Sequence, residues 1–295
     1  MKEVLVPLIF FAQFNRPLTL KQIRRYAWGK EFGMDELKRI LKRAAVKQSG
    51  EFYYLEESQV QNALEREQRA EKFWKYVKRF LWIFANVPFL KMAAVQNSLA
   101  YGSVGKKSDI DLLIVTRKNR IWTARAFLLL WLSLFNLRTT SKRKYMKFSP
   151  EILIDEAALN LGSYVVSNDY LIHYQMADTV PIWNVPFWKT FLSANCWIKA
   201  KLPVAYRSSN IREEFGNTAS ASWFAWLMEC MLSGKFGDRV EAWAKIQQKK
   251  KLERARERLG ITPNVVLGDH MIQTHFHGKW GEFREIIEEA LAKYS

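Results

Sequence analysis

Val95 to Val115 reads VQNSLAYGSVGKKSDIDLLIV, and this stretch decides how the rest of the chain is read. It ends in Asp109 and Asp111, one residue apart at the start of a predicted strand, Ile110–Thr116. Alternation along a strand sends both carboxylates to one face. Two carboxylates pointing one way need a cation, a shared proton or water between them. Magnesium suits such a pair, because it takes one or two carboxylates and fills its shell with water and phosphate oxygens. Two such ions close together clamp the attacking and leaving oxygens of a displacement at phosphorus. The other wall of the site is the turn at Asn97 and Ser98, after a short predicted strand, Met92–Val95. A helix opening at Ser98 aims free N–H groups and its positive end at a phosphate, and the Ser98 hydroxyl adds a donor. Between the walls, Gly102 to Ser108 reads as a flexible basic loop, GSVGKKS. Each piece alone is common; the strand–turn–helix–loop–strand combination is much more specific.

The segment resembles the signature of the DNA polymerase beta-like nucleotidyltransferase superfamily: apolar strand, Gly-Ser, short helix, loop, Asp-apolar-Asp. The Gly-Ser pair falls on Asn97 and Ser98, the Asp-apolar-Asp on Asp109, Ile110 and Asp111, and Ser108 also fits. The motif covers about twenty residues, and a looser likeness extends to prokaryotic proteins with an N-terminal winged helix, this domain and a helical C-terminal part. The resemblance implies an α/β (α+β) core with a small mixed sheet. It implies an enzyme that moves a nucleotidyl group from an NTP to an acceptor hydroxyl with two Mg²⁺ ions. Asp109 and Asp111 would hold both metals. Asp155, ending the predicted strand Ile152–Asp155, would complete one site and help deprotonate the acceptor. Asn97, Ser98, Gly102 and Ser108 would bind the nucleotide. The acceptor is open: RNA, a protein hydroxyl or a small molecule such as an aminoglycoside. Asn97 departs from the pattern, since glycine there permits positive φ and close approach of the triphosphate. Asparagine tolerates the same backbone region, but its side chain stands where phosphate belongs. A second reading is therefore a catalytically weak or inactive relative that binds nucleotide or nucleic acid as a regulator.

The flanking sequence divides into residues 1–57, 58–87, 88–180 and 181–295. In the first, three helices and a hairpin follow the order of a winged helix-turn-helix. Thr19 and Gln22 are spaced as a capping box. The helix MDELKRILKRA carries Lys38, Arg39, Lys42 and Arg43 on its outer side. Duplex DNA or RNA is the expected partner of that face, with a protein contact the equal alternative. One long helix is expected from Ser58 to Asn86, stopped by Pro88. The region after Pro181 reads as helical. The net charge of +17 over 295 residues favours polyanions, and the two cysteines, Cys196 and Cys230, suit a reducing cytoplasm.

The N-terminal apolar run lacks small residues for signal cleavage. Ile121–Leu137 is shorter than the ~20 residues a spanning helix needs and reads as a buried helix, so membrane association is not expected. Tryptophans 74, 82, 122 and 131 fall in apolar helical stripes and read as core. The cluster of Asp269, His270, His275 and His277 matches no metal-site spacing, and the basic helix Lys245–Arg258 reads equally as a phosphate-tracking or a solvated face. No G-x-S-x-G and no Walker-type phosphate loop is present.

Overall fold

The computed structural model describes all residues except 45, 166–168, 209, 217–220, 260–265, 274–278 and 294–295. The chain opens with α1 (Lys2–Ala12), β1 (Leu18–Thr19), α2 (Leu20–Tyr26), α3 (Met34–Arg43), β2 (Lys47–Ser49) and β3 (Phe52–Tyr54). The Thr19 hydroxyl accepts from the Gln22 amide and the Gln22 side chain accepts from the Thr19 amide, so the expected capping box starts α2. The strands form a small antiparallel sheet in the order β1-β3-β2. The four α3 cations face solvent while Leu37 and Leu41 are buried.

The expected single helix over Ser58–Asn86 is three pieces: α4 (Glu57–Gln61), α5 (Ala63–Arg79) and α6 (Trp82–Ala85). Then come β4 (Leu90–Gln96), α7 (Asn97–Ala100), β5 (Ile110–Thr116), α8 (Ile121–Leu134), β6 (Phe148–Asp155), α9 (Tyr170–Asp178) and β7 (Val180–Trp183). The rest holds α10 (Phe187–Ala194), α11 (Pro203–Arg207), α12 (Trp223–Met231), α13 (Gly234–Leu259), β8 (Val266–Leu267), β9 (Met271–Gln273) and α14 (Lys279–Ala292). The region after Pro181 is thus not purely helical. Its strands complete a six-stranded sheet, β7-β4-β5-β6-β9-β8, in which only β5 and β6 are parallel.

Both faces of this sheet are covered, which explains the unbroken apolar runs of β4 and β5. Met92, Ala94, Leu113, Val115, Ile152 and Ile154 face α1, α2, α9 and α14. Ala93, Val95, Leu112, Ile114 and Leu153 face α5, α6 and α8. α1 is buried almost all round, and Phe10 stacks on Tyr174 of α9 with ring centroids 4.4 Å apart. The N-terminal helices therefore share a core with the sheet.

A buried polar knot reinforces that junction. Asp178, with no exposed surface, accepts from the Tyr26 hydroxyl at 2.6 and 2.8 Å and from Arg25 at 3.4 Å, with Arg16 4.0 Å away. Burial raises the Asp178 carboxyl above its usual range against the pull of Arg25 and Arg16. Removing one partner of a buried ionic cluster leaves the others desolvated and unpaired. Asp178→Ala should lower unfolding stability by about 3 kcal/mol in a denaturant titration, with the loss felt by the N-terminal helices and the sheet together.

Candidate active site

The site lies where β4 ends and β5 begins. Gln96, the last residue of β4, pairs with Asp111 in the β4–β5 register. Its side chain is buried and donates to Thr179 Oγ1 at 2.9 Å, which in turn donates to the Gln175 carbonyl. Asn97 follows with φ of 57°, the left-handed conformation that glycine takes freely and asparagine tolerates. The chain then makes one helical turn, α7, and Gly102, at φ of 70°, turns it back. Ser98 lies in that turn, its carbonyl accepting from the Ser103 amide at 2.9 Å.

The loop that follows is pinned rather than flexible. Ser103 Oγ donates to the Phe14 carbonyl at 2.5 Å, Arg69 donates to the Val104 carbonyl at 2.7 Å, and the Gly105 amide donates to Ser108 Oγ at 2.9 Å. The Ser108 hydroxyl thus shapes the loop that delivers Asp109. Thr139 Oγ1 reaches Asp109 Oδ2 at 3.4 Å. Asn97 Nδ2 lies 3.0 Å from Asp111 Oδ2 and 3.4 Å from Glu151 Oε2, so one amide group bridges two carboxylates.

Glu151 is the residue that sequence reasoning missed. The expected strand began at Ile152, after Pro150; β6 instead begins at Phe148 and carries Pro150 at a register shift, where Leu112 pairs with Pro150 and Leu113 with Ile152. Proline is tolerated at such a bulge, and the bulge aims Glu151 at Asp111. The available signal was a second acidic residue at the start of the same apolar strand. Burial and the charge of Asp109 push the Glu151 carboxyl up to about 8, against the hydrogen bond with Asp111 and the charge of Lys144.

Asp155 is not brought to this cluster. β5 and β6 are parallel, and Asp155 pairs with Thr116, five positions beyond Asp111 and about 16 Å along the strand. Its carboxylate accepts from the Asn119 and Ala157 amides and meets His270 Nδ1 at 2.9 Å, so it ties three chain segments at the far end of the sheet. His275 and His277 lie outside the described residues, and Asp269 pairs with Lys245.

Among the described residues no group of three or more His, Cys, Asp and Glu side chains is placed to hold a metal ion as it stands. Magnesium needs only one or two carboxylates when substrate phosphates and water supply the rest. The neutral Asn97 amide lies against both Asp111 and Glu151.

On the far side of α7, a cavity of about 380 Å³ opens between α2, α5 and the loop. Arg16, Arg25, Arg66 and Arg212 line it together with Glu67, Glu71, Tyr26 and Trp74. Arg16 Nη1 and Arg66 Nε are buried without a hydrogen-bond partner among the described residues. No family model, curated protein or solved structure matches this chain.

An acid whose pKa is raised on folding binds its proton more tightly in the native state, so stability falls as pH rises from its ordinary value to the folded one. For Glu151 that window runs from 4.5 to about 8. Glu151→Gln should therefore gain in melting temperature relative to the parent across this interval, with the full gain above about pH 8. A pH series of thermal melts checks this.

Proposed function

We propose that the chain is a magnesium-dependent nucleotidyltransferase, with Glu151 in the role that the sequence had suggested for Asp155. The observation that carries this reading is the convergence of Asp111, Glu151 and Asn97 on one edge of the sheet, with Asp109 close enough to act on the Glu151 charge. Magnesium, when bound, would neutralise the phosphate oxygens of an NTP and hold them in line for displacement. Asp109 and Asp111 are the ligands on hand. The left-handed turn at Asn97 puts the start of α7 opposite them, where the distal phosphates would lie.

In the transfer step the acceptor oxygen forms a bond to the α-phosphorus, the bond from that phosphorus to the bridging oxygen breaks, and pyrophosphate leaves. The acceptor proton goes to Glu151, whose side chain meets the Asn97 amide beside Asp111 on the same edge. The arginine-lined cavity beside the pinned loop offers an anionic part of either substrate a place to bind. Catalysis comes from positioning and charge neutralisation.

One observation favours the regulator as second reading. The Asn97 amide holds Asp111 and Glu151 together, and a metal must displace it. Asn97→Gly removes the bridge and keeps the backbone conformation. It should tighten Mg²⁺-dependent NTP binding about fivefold, the net worth of a hydrogen bond near 1 kcal/mol. Asp111→Ala should abolish that binding while leaving the melting temperature within a few degrees of the parent. Calorimetry with each NTP and Mg²⁺ checks both. A parent protein that binds no NTP with Mg²⁺, alongside an Asn97→Gly variant that does, would make the regulator the better reading.

A further inference from the structure

Two helices near the C-terminus turn their apolar sides outward. On α12, Trp223, Trp226, Leu227 and Met231 share one face, and that face is exposed: Trp223 keeps 75% of its surface and Trp226 64%. On α13, Glu241 and Gln248 point inward, accepting from the Trp122 and Thr123 amides and from Arg125. Phe236, Trp243 and Ile246 are left exposed, Trp243 at 63%. An ordinary solvated helix shows the reverse arrangement.

The apolar surface continues across neighbouring elements. Trp82 of α6 meets Phe135, just past α8, edge-on at 4.8 Å, and both rings are exposed. Trp131 of α8 meets Phe224 of α12 at 5.7 Å, and α13 packs along α8. Exposed apolar side chains thus lie on α6, α8, α12 and α13. This corrects two sequence expectations: Trp82 is not core, and α8 exposes Leu130 and Leu134. Exposed apolar side chains gathered in this number mark an interaction site.

Cations border it. Lys78 and Arg79 are exposed at the end of α5, just before Trp82. Lys142 and Arg143 are exposed after Phe135, and Arg143 Nη1 bonds Asn136 Oδ1 at 3.3 Å, holding that loop beside the patch. Lys235 and Arg239 flank Phe236. A second copy of the chain would bring the same cations and the same +17 charge against this rim. Exposed tryptophans ringed by lysine and arginine instead match a membrane interface, where amphipathic rings sit at headgroup level and cations meet anionic lipid. No helix among the described residues is long and apolar enough to cross a membrane, so the contact would be peripheral.

We propose that this face docks on an anionic lipid surface, the α12 and α13 aromatics lying among the headgroups and the basic rim on their phosphates.

The test is co-sedimentation of the full chain with vesicles of phosphatidylcholine alone, or of roughly two parts phosphatidylcholine to one part phosphatidylglycerol. The chain should sediment with the anionic vesicles and not with phosphatidylcholine alone. The double variant Trp226→Ser, Trp243→Ser, altered only at exposed positions, should bind about tenfold more weakly or worse. A second variant, Lys142→Gln with Arg143→Gln, should weaken binding and flatten its salt dependence. The proposal fails if the parent stays in solution with anionic vesicles, or if both variants bind like the parent. It also fails if light scattering shows a dimer that the tryptophan variant makes monomeric, since the face would then be covered by a second copy.

Discussion

β5 is hydrogen-bonded on both edges and buried on both faces, antiparallel to β4 on one side and parallel to β6 on the other. Almost everything at the site follows from that arrangement. The antiparallel pairing puts the end of β4 beside the start of β5, so the turn at Asn97 and the carboxylate of Asp111 share one edge. The parallel pairing brings the start of β6 to that edge and sends its end away. A residue on β6 therefore belongs to the site only if it lies near Phe148. Glu151 does and Asp155 does not.

That edge is anchored by buried hydrogen bonds. Gln96, Thr179 and Gln175 anchor the end of β4 to α9 through buried hydrogen bonds. Asp178, at the end of that same helix, is knotted to Tyr26 and Arg25. The site and the N-terminal helices are thus tied to opposite sides of one short segment, Gln175–Thr179. This network joins the N-terminal helices to the sheet, with Arg16 Nη1 buried beside it without a hydrogen-bond partner among the described residues. Arg69 and Ser103 extend the anchoring to the loop before Asp109.

Much of this was legible from local pattern. The apolar run Ile110–Thr116 is β5, Thr19 starts α2, and the Ser49–Gly50 turn joins β2 to β3. These readings rest on signals within a few residues. What failed needed non-local knowledge. β9 is only Met271–Gln273, too short to show a period, and it is a strand because β6 offers it an edge. Pro150 argued against a strand start because a bulge cannot be seen without its partner strand. Asp155 and Glu151 are four residues apart on the same strand; the direction of β6 relative to β5 and the register shift at Pro150 separate them, turning Glu151 toward Asp111 while Asp155 pairs with Thr116. Trp82 and Trp131 fall in apolar stripes alike, yet Trp82 is exposed while Trp131 packs against Phe224 and donates to the Asn86 carbonyl at 3.0 Å.

Asn97 joins these points. Its backbone does what glycine would do, so the turn survives the substitution. Its side chain does what glycine cannot: its amide reaches both the Asp111 and the Glu151 side chains. A hydrogen-bond donor is a weaker partner for that pair than a divalent ion, but it needs no ion to be present. Glycine at this turn would leave the relief of charge to metal or proton alone. Under the proposed reading, a metal would first have to break a bond already made. The edge is therefore held in shape by the protein itself, and a bound metal would have to exchange with the amide rather than fill an unoccupied position.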